Sequence, residues 1–426
     1  MMFQKIKIKL AGIVTRQLLG TILFSCIVLI CVAVVYQPNT LELSPQSKVN
    51  LEFAVNPFYG DAFEAYPLLW GPLYPSVLWV LNRCGIPLER IHQLFFIGIL
   101  CWTWLYLNRK KGSVLAGSVV ILLSVSGFYY NNMYQYVSET FLILLMLFSF
   151  STLIRYLRKR SLVGILWLAV WSLLICMTKY FGLIFLFPII IFNICFFGKC
   201  RLKRRLIHMV VYSALVIMVS GIWFNFVYQR TGYITGMDRT GDRYLPYFTE
   251  PNEPWINITE VTTLDNNLRG IIKTIFIDFF SVHRYAEHGV VDSSLLTRYE
   301  YAVLGPLILI FAAILIVGVR AYRSSFRHFS IRLLWQKLTD SDDLLIFQYY
   351  FSYMLFFIVS CTRGNSDPVY TRFVYPTYIL IILLIVMLYL NIKGRTVEVW
   401  NRLPFQGLYF MLIIIQAIKC LRFLYA

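Results

Sequence analysis

The chain has 426 residues, of which 59% are hydrophobic and only 14% are charged. Soluble domains carry about a quarter charged residues, so this composition excludes an ordinary soluble fold. The nine cysteines include no C-x-x-C pair, and no Cys/His cluster has metal-ligand spacing, so neither a redox motif nor a structural metal site is indicated. The net charge of +18 could indicate nucleic-acid binding, but the topology derived below accounts for it otherwise.

Apolar segments long enough to cross a membrane occur along most of the chain. A membrane-spanning helix requires about 20 apolar residues, and short basic flanks extend several of the segments because Lys and Arg side chains can snorkel. We therefore predict an all-α polytopic membrane protein with about 11 transmembrane helices. The predicted spans are residues 17–36, 91–108, 112–130, 137–154, 161–178, 180–198, 206–228, 300–319, 344–361, 372–391 and 403–419. The first span follows a basic N-terminus and is interpreted as a retained anchor.

The positions of the charges predict the topology. With the N-terminus in the cytoplasm, 24 of the 39 basic residues fall on the N-terminal segment and five short inner loops, together with only four acids, as the positive-inside rule requires. This sorting explains the positive charge without nucleic acid. It divides the chain into residues 1–36 with the first span, a first outer segment at 37–90, spans two to seven at 91–228, a second outer segment at 229–299, and spans eight to eleven at 300–426. Both outer segments contain Pro, Gly, aromatic and acidic residues, which predicts ordered structure.

The first outer segment carries Tyr59, Asp61 and Glu64 before a short apolar stretch that begins at Gly71. A carboxylate near the membrane surface can act as a general base toward a hydroxyl or amine. Asp61 can equally cap a short helix with Glu64 in its first turn. The stretch from Gly71 to Leu81 is too short to span, so it is either an interfacial helix or an extension of the second span.

Two ionisable residues stand at the outer ends of the middle spans. Glu139 follows Tyr136 and several amides at the start of span four, a composition that suits a saccharide surface. An ionisable group at membrane depth usually faces a polar cavity or a partner, but Glu139 could also be hydrated or pair with Lys179. Lys179 lies between spans five and six, on the outer side against the charge bias. It either snorkels to the interface or binds an anionic group such as a phosphate.

The last outer turn contains Arg363, Asp367 and Arg372. A guanidinium offers a fork of donors that matches phosphate oxygens, so Arg372 at the start of span ten is a candidate phosphate ligand. The alternative is an interfacial anchor paired with Asp367. The sequence contains no P-loop, no Gly-x-Ser-x-Gly, no His-Glu-x-x-His and no dinucleotide fingerprint.

Four of these outer-face motifs resemble, in their order, the GT-C superfamily of lipid-dependent glycosyltransferases. The most similar branch contains the protein O-mannosyltransferases and the lipid A aminoarabinose transferase. The stretch Gly71–Pro75 resembles its Pro-Pro-Leu-Tyr element, with Gly71 in place of the first Pro. Ser138-Glu139 resembles its acidic position, Thr178–Gly182 its Thr-Lys-x-x-Gly turn, and Arg372–Pro376 its Arg-Tyr-x-x-Pro element. The first outer segment departs from the family, because Asp61 is followed by Ala rather than by Glu.

The resemblance implies an inverting transfer of a sugar from a polyprenyl-phosphate carrier to a lipid, glycan or protein acceptor. Asp61, or Glu64 in its place, would be the base, and Glu139 would orient a hydroxyl group. Lys179, Arg372 and Arg363 would hold the donor phosphate. The residues implied in substrate binding are Tyr59, Tyr74, Tyr136 and Asp367. The scheme requires no cofactor and no metal, and it places the enzyme in a bacterial inner membrane with its site facing the periplasm.

Two other classes of protein also fit the sequence. An O-antigen polymerase or ligase has many spans and concentrates Arg in a late outer loop, and the second outer segment here contains six Arg residues. Such an enzyme would survive the loss of Asp61. A transporter or flippase of lipid-linked glycans is expected to bury charges near the bilayer midplane, whereas the predicted spans are almost free of charge at their centres.

Overall fold

The computed structural model describes residues 71–111, 138–196 and 202–231, and the single positions 51, 54–55, 116–117, 119–120, 123, 345–346, 348–349 and 352. Within these residues the secondary structure is helical and contains no strand. The first predicted span, spans eight, ten and eleven, nearly all of residues 37–70 of the first outer segment, and nearly all of the second outer segment lie outside the described residues. The predicted total of eleven spans therefore stays a prediction.

Six helices form the described part of the chain. Three of them contain stretches long and apolar enough to cross a membrane, namely Arg90–Arg109, Glu139–Lys159 and Leu202–Gln229. Two shorter apolar helices lie between the second and third of these stretches. Five of the six helices coincide with predicted spans two and four to seven. The helices are α1 (Leu73–Arg83), α2 (Leu88–Lys111), α3 (Glu139–Lys159), α4 (Leu162–Thr178), α5 (Phe181–Phe196) and α6 (Leu202–Thr231).

The short apolar stretch before the second span forms a separate helix, α1, and not an extension of that span. Gly85 adopts a positive φ of 83° in the turn between α1 and α2, a conformation that glycine reaches without the steric cost of a Cβ. The backbone N–H of Gly85 donates to the carbonyl of Asn82 at 3.0 Å. This turn ends α1 and lets the chain reverse into α2.

Helices α3 and α4 form an antiparallel hairpin with a connection of only two residues. Arg160 ends α3 in the left-handed region, with φ of 50°, and its backbone N–H donates to the Tyr156 carbonyl at 2.7 Å. Ser161 then caps α4, because its hydroxyl accepts a hydrogen bond from the N–H of Gly164 at 3.1 Å. A serine at this position satisfies one of the donors that the first helical turn leaves unpaired. The short connection fixes the two helices side by side.

The apolar core lies where α3 contacts α2 and α4. Leu142 and Phe150 of α3, Leu168 and Ile175 of α4, and Ile99 of α2 are all fully buried. In contrast, α6 exposes large apolar side chains along much of its length, as expected for a helix that faces lipid.

Polar side chains also connect helices inside the apolar core. Asn193 in α5 donates from its amide to Gln348 Oε1 at 2.6 Å, and the hydroxyl groups of Ser149 and Tyr349 lie 3.0 Å apart. Such interhelical hydrogen bonds contribute roughly 0.6–2 kcal/mol each within a membrane. They connect the described part of predicted span nine to α3 and α5.

The basic clusters and the acidic residues of the described helices lie at opposite ends of the bundle. The hydrogen bonds Tyr156–His208 and Tyr180–Trp223 show that α6 runs antiparallel to α3. The turn between α3 and α4 and the start of α6 are therefore at the same end. Both carry basic clusters, whereas the two acidic residues in the described ranges, Glu89 and Glu139, are at the opposite end. The basic loops assigned to one membrane side by the sequence are thus spatial neighbours.

Candidate functional site

A buried ion pair joins the two ionisable residues that the sequence places at the outer ends of the middle spans. Lys179 Nζ lies 2.5 Å from Glu139 Oε1, and each side chain is only 1% exposed. Glu139 is the first residue of α3, and Lys179 is the residue that follows the last turn of α4. The packing of α4 against α3 therefore brings together residues 40 positions apart in the sequence. Hydration of Glu139 and snorkelling of Lys179 are both excluded, and their pairing is confirmed.

The helix ends explain how two charges are tolerated in this apolar bundle. A helix N-terminus carries a partial positive charge and a C-terminus a partial negative charge. Glu139 stands at the N-terminus of α3 and Lys179 at the C-terminus of α4, so each charge is at the favourable end of its helix. Removing two ions from water costs several kcal/mol for each ion unless they are closely paired. The ion pair and the helix ends together offset that cost.

The chain immediately before α1 lies against the same turn. Gly71 has φ of 103°, and a Cβ atom at this position would collide with the backbone carbonyl of Met177. The Gly71–Pro75 element therefore contacts the end of α4, next to Thr178 and Lys179. Proline fixes φ near −65° and cannot adopt this conformation. The positive φ accounts for Gly71 at the position where the similar GT-C element has its first proline. The backbone at this position therefore differs from that of a Pro-Pro element.

Tyr74 connects this element to α2 and α3. Its side chain is 1% exposed, and its hydroxyl forms a hydrogen bond with His92 Nε2. The Tyr74 ring packs against Phe141, two residues after Glu139, with 6.3 Å between ring centroids. Phe95 of α2 packs on the other side of Phe141 at 4.9 Å. Tyr74 is thus a buried bridge between three helices, beside the ion pair.

Aromatic residues of α6 complete this end of the bundle. The indole N–H of Trp223 donates to the Tyr180 hydroxyl at 3.0 Å, and the ring of Phe224 meets the ring of Tyr180 edge-on at 5.3 Å. Tyr180 directly follows Lys179, so these partly buried rings adjoin the ion pair. Aromatic side chains with polar tips suit both a membrane interface and a saccharide surface.

None of the motifs in the sequence predicts a role for His92, Trp223 or Phe224. The position of His92 could have marked it as a candidate, because an ionisable residue in the first turns of a predicted span is unusual. The partner of His92 could not be foreseen, since Tyr74 is on a different helix. No group of metal-ligating side chains occurs among the described residues.

Three predicted motifs meet at this site, namely the Gly71–Pro75 element, Glu139 and the Thr178–Gly182 turn. The other predicted site residues lie outside the described part of the chain. They are Tyr59, Asp61, Glu64, Tyr136, Arg363, Asp367 and Arg372.

Comparison of the chain with protein-family models, curated proteins and solved structures finds no match. The described helices and their apolar surfaces indicate the broad class, a helical membrane protein. Membership of the GT-C superfamily stays a prediction based on the sequence motifs.

Proposed function

We propose that the chain is an integral-membrane glycosyltransferase that moves a sugar from a polyprenyl-phosphate carrier to an acceptor at the extracytoplasmic face. The observation that carries the proposal is the contact between three motifs in the order expected from the sequence. Gly71 lies against the turn that contains Lys179, and Lys179 pairs with Glu139. These positions span more than 100 residues of sequence, and they meet at the end of the bundle that lacks the basic clusters.

The chemistry of Lys179 supports its assignment to the donor phosphate. An ammonium group has three N–H donors, and the carboxylate of Glu139 accepts one of them. A cation fixed in a water-poor site interacts with a developing phosphate charge far more strongly than it would in water. The ion pair with Glu139 holds Lys179 in one orientation, and Glu139 would also orient a hydroxyl of the acceptor or sugar.

The proposed reaction is a single displacement with inversion. The acceptor hydroxyl or amine gives its proton to the carboxylate of Asp61 or Glu64 and bonds to the anomeric carbon. The bond between that carbon and the phosphate oxygen breaks, and its electron pair leaves with the lipid phosphate. Lys179, Arg372 and Arg363 stabilise the phosphate. Tyr59, Tyr74, Tyr136 and Asp367 are assigned to substrate binding in this scheme, and no cofactor or metal takes part.

The proposed location is a bacterial inner membrane with the site facing the periplasm. The positive-inside rule supports this orientation, because the ion pair lies at the end of the bundle opposite the basic turns. A lipid-phosphate donor also fits a site at the end of membrane helices, since the prenyl tail stays in the bilayer. Candidate acceptors are lipid A, another lipid-linked glycan, teichoic acid or protein.

The test uses the purified full-length chain in lipid nanodiscs with radiolabelled undecaprenyl-phosphate sugars. Mannose, glucose and aminoarabinose donors are each paired with a panel of the four acceptor classes. We expect transfer or release of one sugar with the appearance of free undecaprenyl phosphate. If no donor loses its sugar with any acceptor, the proposal is wrong.

A pair of variants separates a catalytic role of Lys179 from a structural one. The double variant Lys179→Met with Glu139→Leu removes both charges and leaves no unpaired ion in the apolar core. If Lys179 stabilises the departing phosphate, this variant folds but transfers sugar at least about a hundredfold more slowly. Lys159→Met, an exposed lysine at the opposite end of α3, is the matched control and should keep the wild-type rate. A double variant with the wild-type rate would show that the ion pair is structural.

The base is tested separately with Asp61→Asn and Glu64→Gln. Loss of the base slows proton transfer by roughly 10²- to 10⁴-fold, so only one of the two variants should lose transfer to that extent. Wild-type rates in both would contradict the assigned base, and would favour a polymerase- or ligase-type enzyme if glycan chains are still formed.

A further inference from the structure

At the end of the bundle opposite the ion pair, Arg160 and His208 contact Tyr156, and Arg204 contacts Arg160. The guanidinium of Arg160 lies over the Tyr156 ring, 5.2 Å from its centroid. Arg204 Nη2 donates to the backbone carbonyl of Arg160 at 2.8 Å, and the Tyr156 hydroxyl hydrogen-bonds to His208 Nδ1 at 2.9 Å. The turn between α3 and α4 and the first turns of α6 therefore form one cationic cluster, which consists of Arg160, Arg204 and His208.

The burial of this cluster distinguishes it from an ordinary basic loop. Arg160 is only 8% exposed and His208 only 3% exposed, whereas Arg204 is exposed. The positive-inside rule explains why cations occur in this turn, but it does not require that a guanidinium be buried against a tyrosine ring. In the described ranges both acidic residues are at the other end of the bundle, so the described charges at this end are all positive.

An exposed apolar surface begins next to the cationic cluster. On α6, Ile207, Met218 and Ile222 lie on the same face as Arg204, at spacings of three, fourteen and eighteen residues, and they are 49%, 67% and 73% exposed. Cations followed along one helix by exposed apolar side chains match a molecule with an anionic head and apolar tails. A free phosphate has no group that could cover the apolar surface.

We propose that the cationic cluster and the adjoining face of α6 bind one anionic phospholipid of the surrounding leaflet. The phosphate contacts the exposed guanidinium of Arg204, with the buried charge of Arg160 beside it, and an acyl chain lies along the face of α6 that begins at Ile207. Arginine has five N–H donors, so the single hydrogen bond from Arg204 to the Arg160 carbonyl leaves donors for a phosphate. This site does not depend on the proposed glycosyltransferase activity.

The experiment is native mass spectrometry of the full chain after reconstitution into vesicles with equal amounts of phosphatidylglycerol and phosphatidylcholine. We expect the wild type to retain one phosphatidylglycerol in preference to phosphatidylcholine. Each Lys or Arg near an anionic surface contributes about fivefold to such binding, so Arg204→Gln should lower the ratio of the two retained lipids about fivefold. Arg160→Gln should also lower the ratio of the two retained lipids. If Arg160→Gln does not fold, Arg204→Gln alone tests the proposal, because Arg204 is exposed.

The matched control is Arg83→Gln, which removes an exposed arginine from the far end of the bundle and should leave the lipid ratio unchanged. Equal retention of both lipids by the wild type would overturn the proposal. So would an equal loss in Arg83→Gln and Arg204→Gln, because it would show that only the net charge matters.

Discussion

The ion pair between Glu139 and Lys179 predicts a specific pattern of stability in a set of three variants. Lys179→Met leaves the carboxylate of Glu139 buried without its cation, and Glu139→Leu leaves the ammonium of Lys179 without its anion. The double variant removes both charges and replaces them with apolar side chains of similar size. We expect both single variants to be strongly destabilised and the double variant to be close to the wild type.

The expected size follows from the burial and the distance. Both side chains are 1% exposed and their charged atoms are 2.5 Å apart, so the remaining ion in a single variant is not stabilised by water. Breaking a buried pair by removing one partner costs about 3–5 kcal/mol, whereas replacing the whole pair with packed apolar residues is often neutral or stabilising. The double variant should therefore recover most of the free energy that either single variant loses.

The assay is unfolding of the purified full chain in mixed detergent micelles with increasing dodecyl sulfate, followed by tryptophan fluorescence. Lys159→Met is again the control, because this lysine is exposed and its loss should change the free energy of unfolding by less than about 0.5 kcal/mol. If Lys179→Met behaves like Lys159→Met, or if the losses of the two single variants simply add in the double variant, the two charges do not form a buried pair and the reasoning fails.

Three further predictions concern the surroundings of the pair. Gly71→Ala should lower the free energy of unfolding in detergent by more than about 2 kcal/mol. The new Cβ would collide with a backbone carbonyl, and alanine is strained at a positive φ. Tyr74→Phe should cost about 1–3 kcal/mol in the same assay, because it removes the buried hydrogen bond between Tyr74 and His92. In a version of the chain with Cys84 as its single cysteine, this exposed thiol should react with a membrane-impermeant maleimide in intact cells.

Each of these predictions has a matched control. Gly85→Ala introduces the same kind of φ strain with no atom within 4 Å of the new Cβ, so it should cost less than Gly71→Ala. Tyr228→Phe changes an exposed tyrosine and should have almost no effect. A cysteine at Lys159 should react only after the cells are permeabilised. The reverse labelling pattern would invert the predicted topology and contradict the proposed extracytoplasmic site.

The helices could be predicted from the sequence because membrane spans are a local property. Long apolar runs between basic clusters define them, and each backbone hydrogen bond in lipid must be made within the helix itself. The same reasoning anticipated that the basic turns at Arg160 and Arg204 belong together. It also identified the Glu139–Lys179 pair as one alternative, because an ionisable residue in an apolar bundle requires a partner.

Contacts between distant segments could not be read from the same patterns. The close approach of Gly71 to Met177, the bond between Tyr74 and His92, and the bond between Asn193 and Gln348 each join different helices. Hydrophobic periodicity predicts that a helix exists, but it does not predict which neighbour a given polar side chain will face. For the same reason the sequence does not decide whether α1 is a separate helix or an extension of α2, because the separation depends on the backbone conformation of Gly85.

The length of α4 has a consequence for the membrane around the protein. Its 17 residues extend about 26 Å, which is less than the hydrocarbon thickness of roughly 30 Å. With the arginine-rich turn held at one headgroup layer, Lys179 at the other end lies a few ångström short of the opposite layer. A bilayer can accommodate a short span by becoming thinner, and we expect such thinning beside α4. Such a local depression would lower the headgroups of one leaflet to the depth of Lys179 and Glu139.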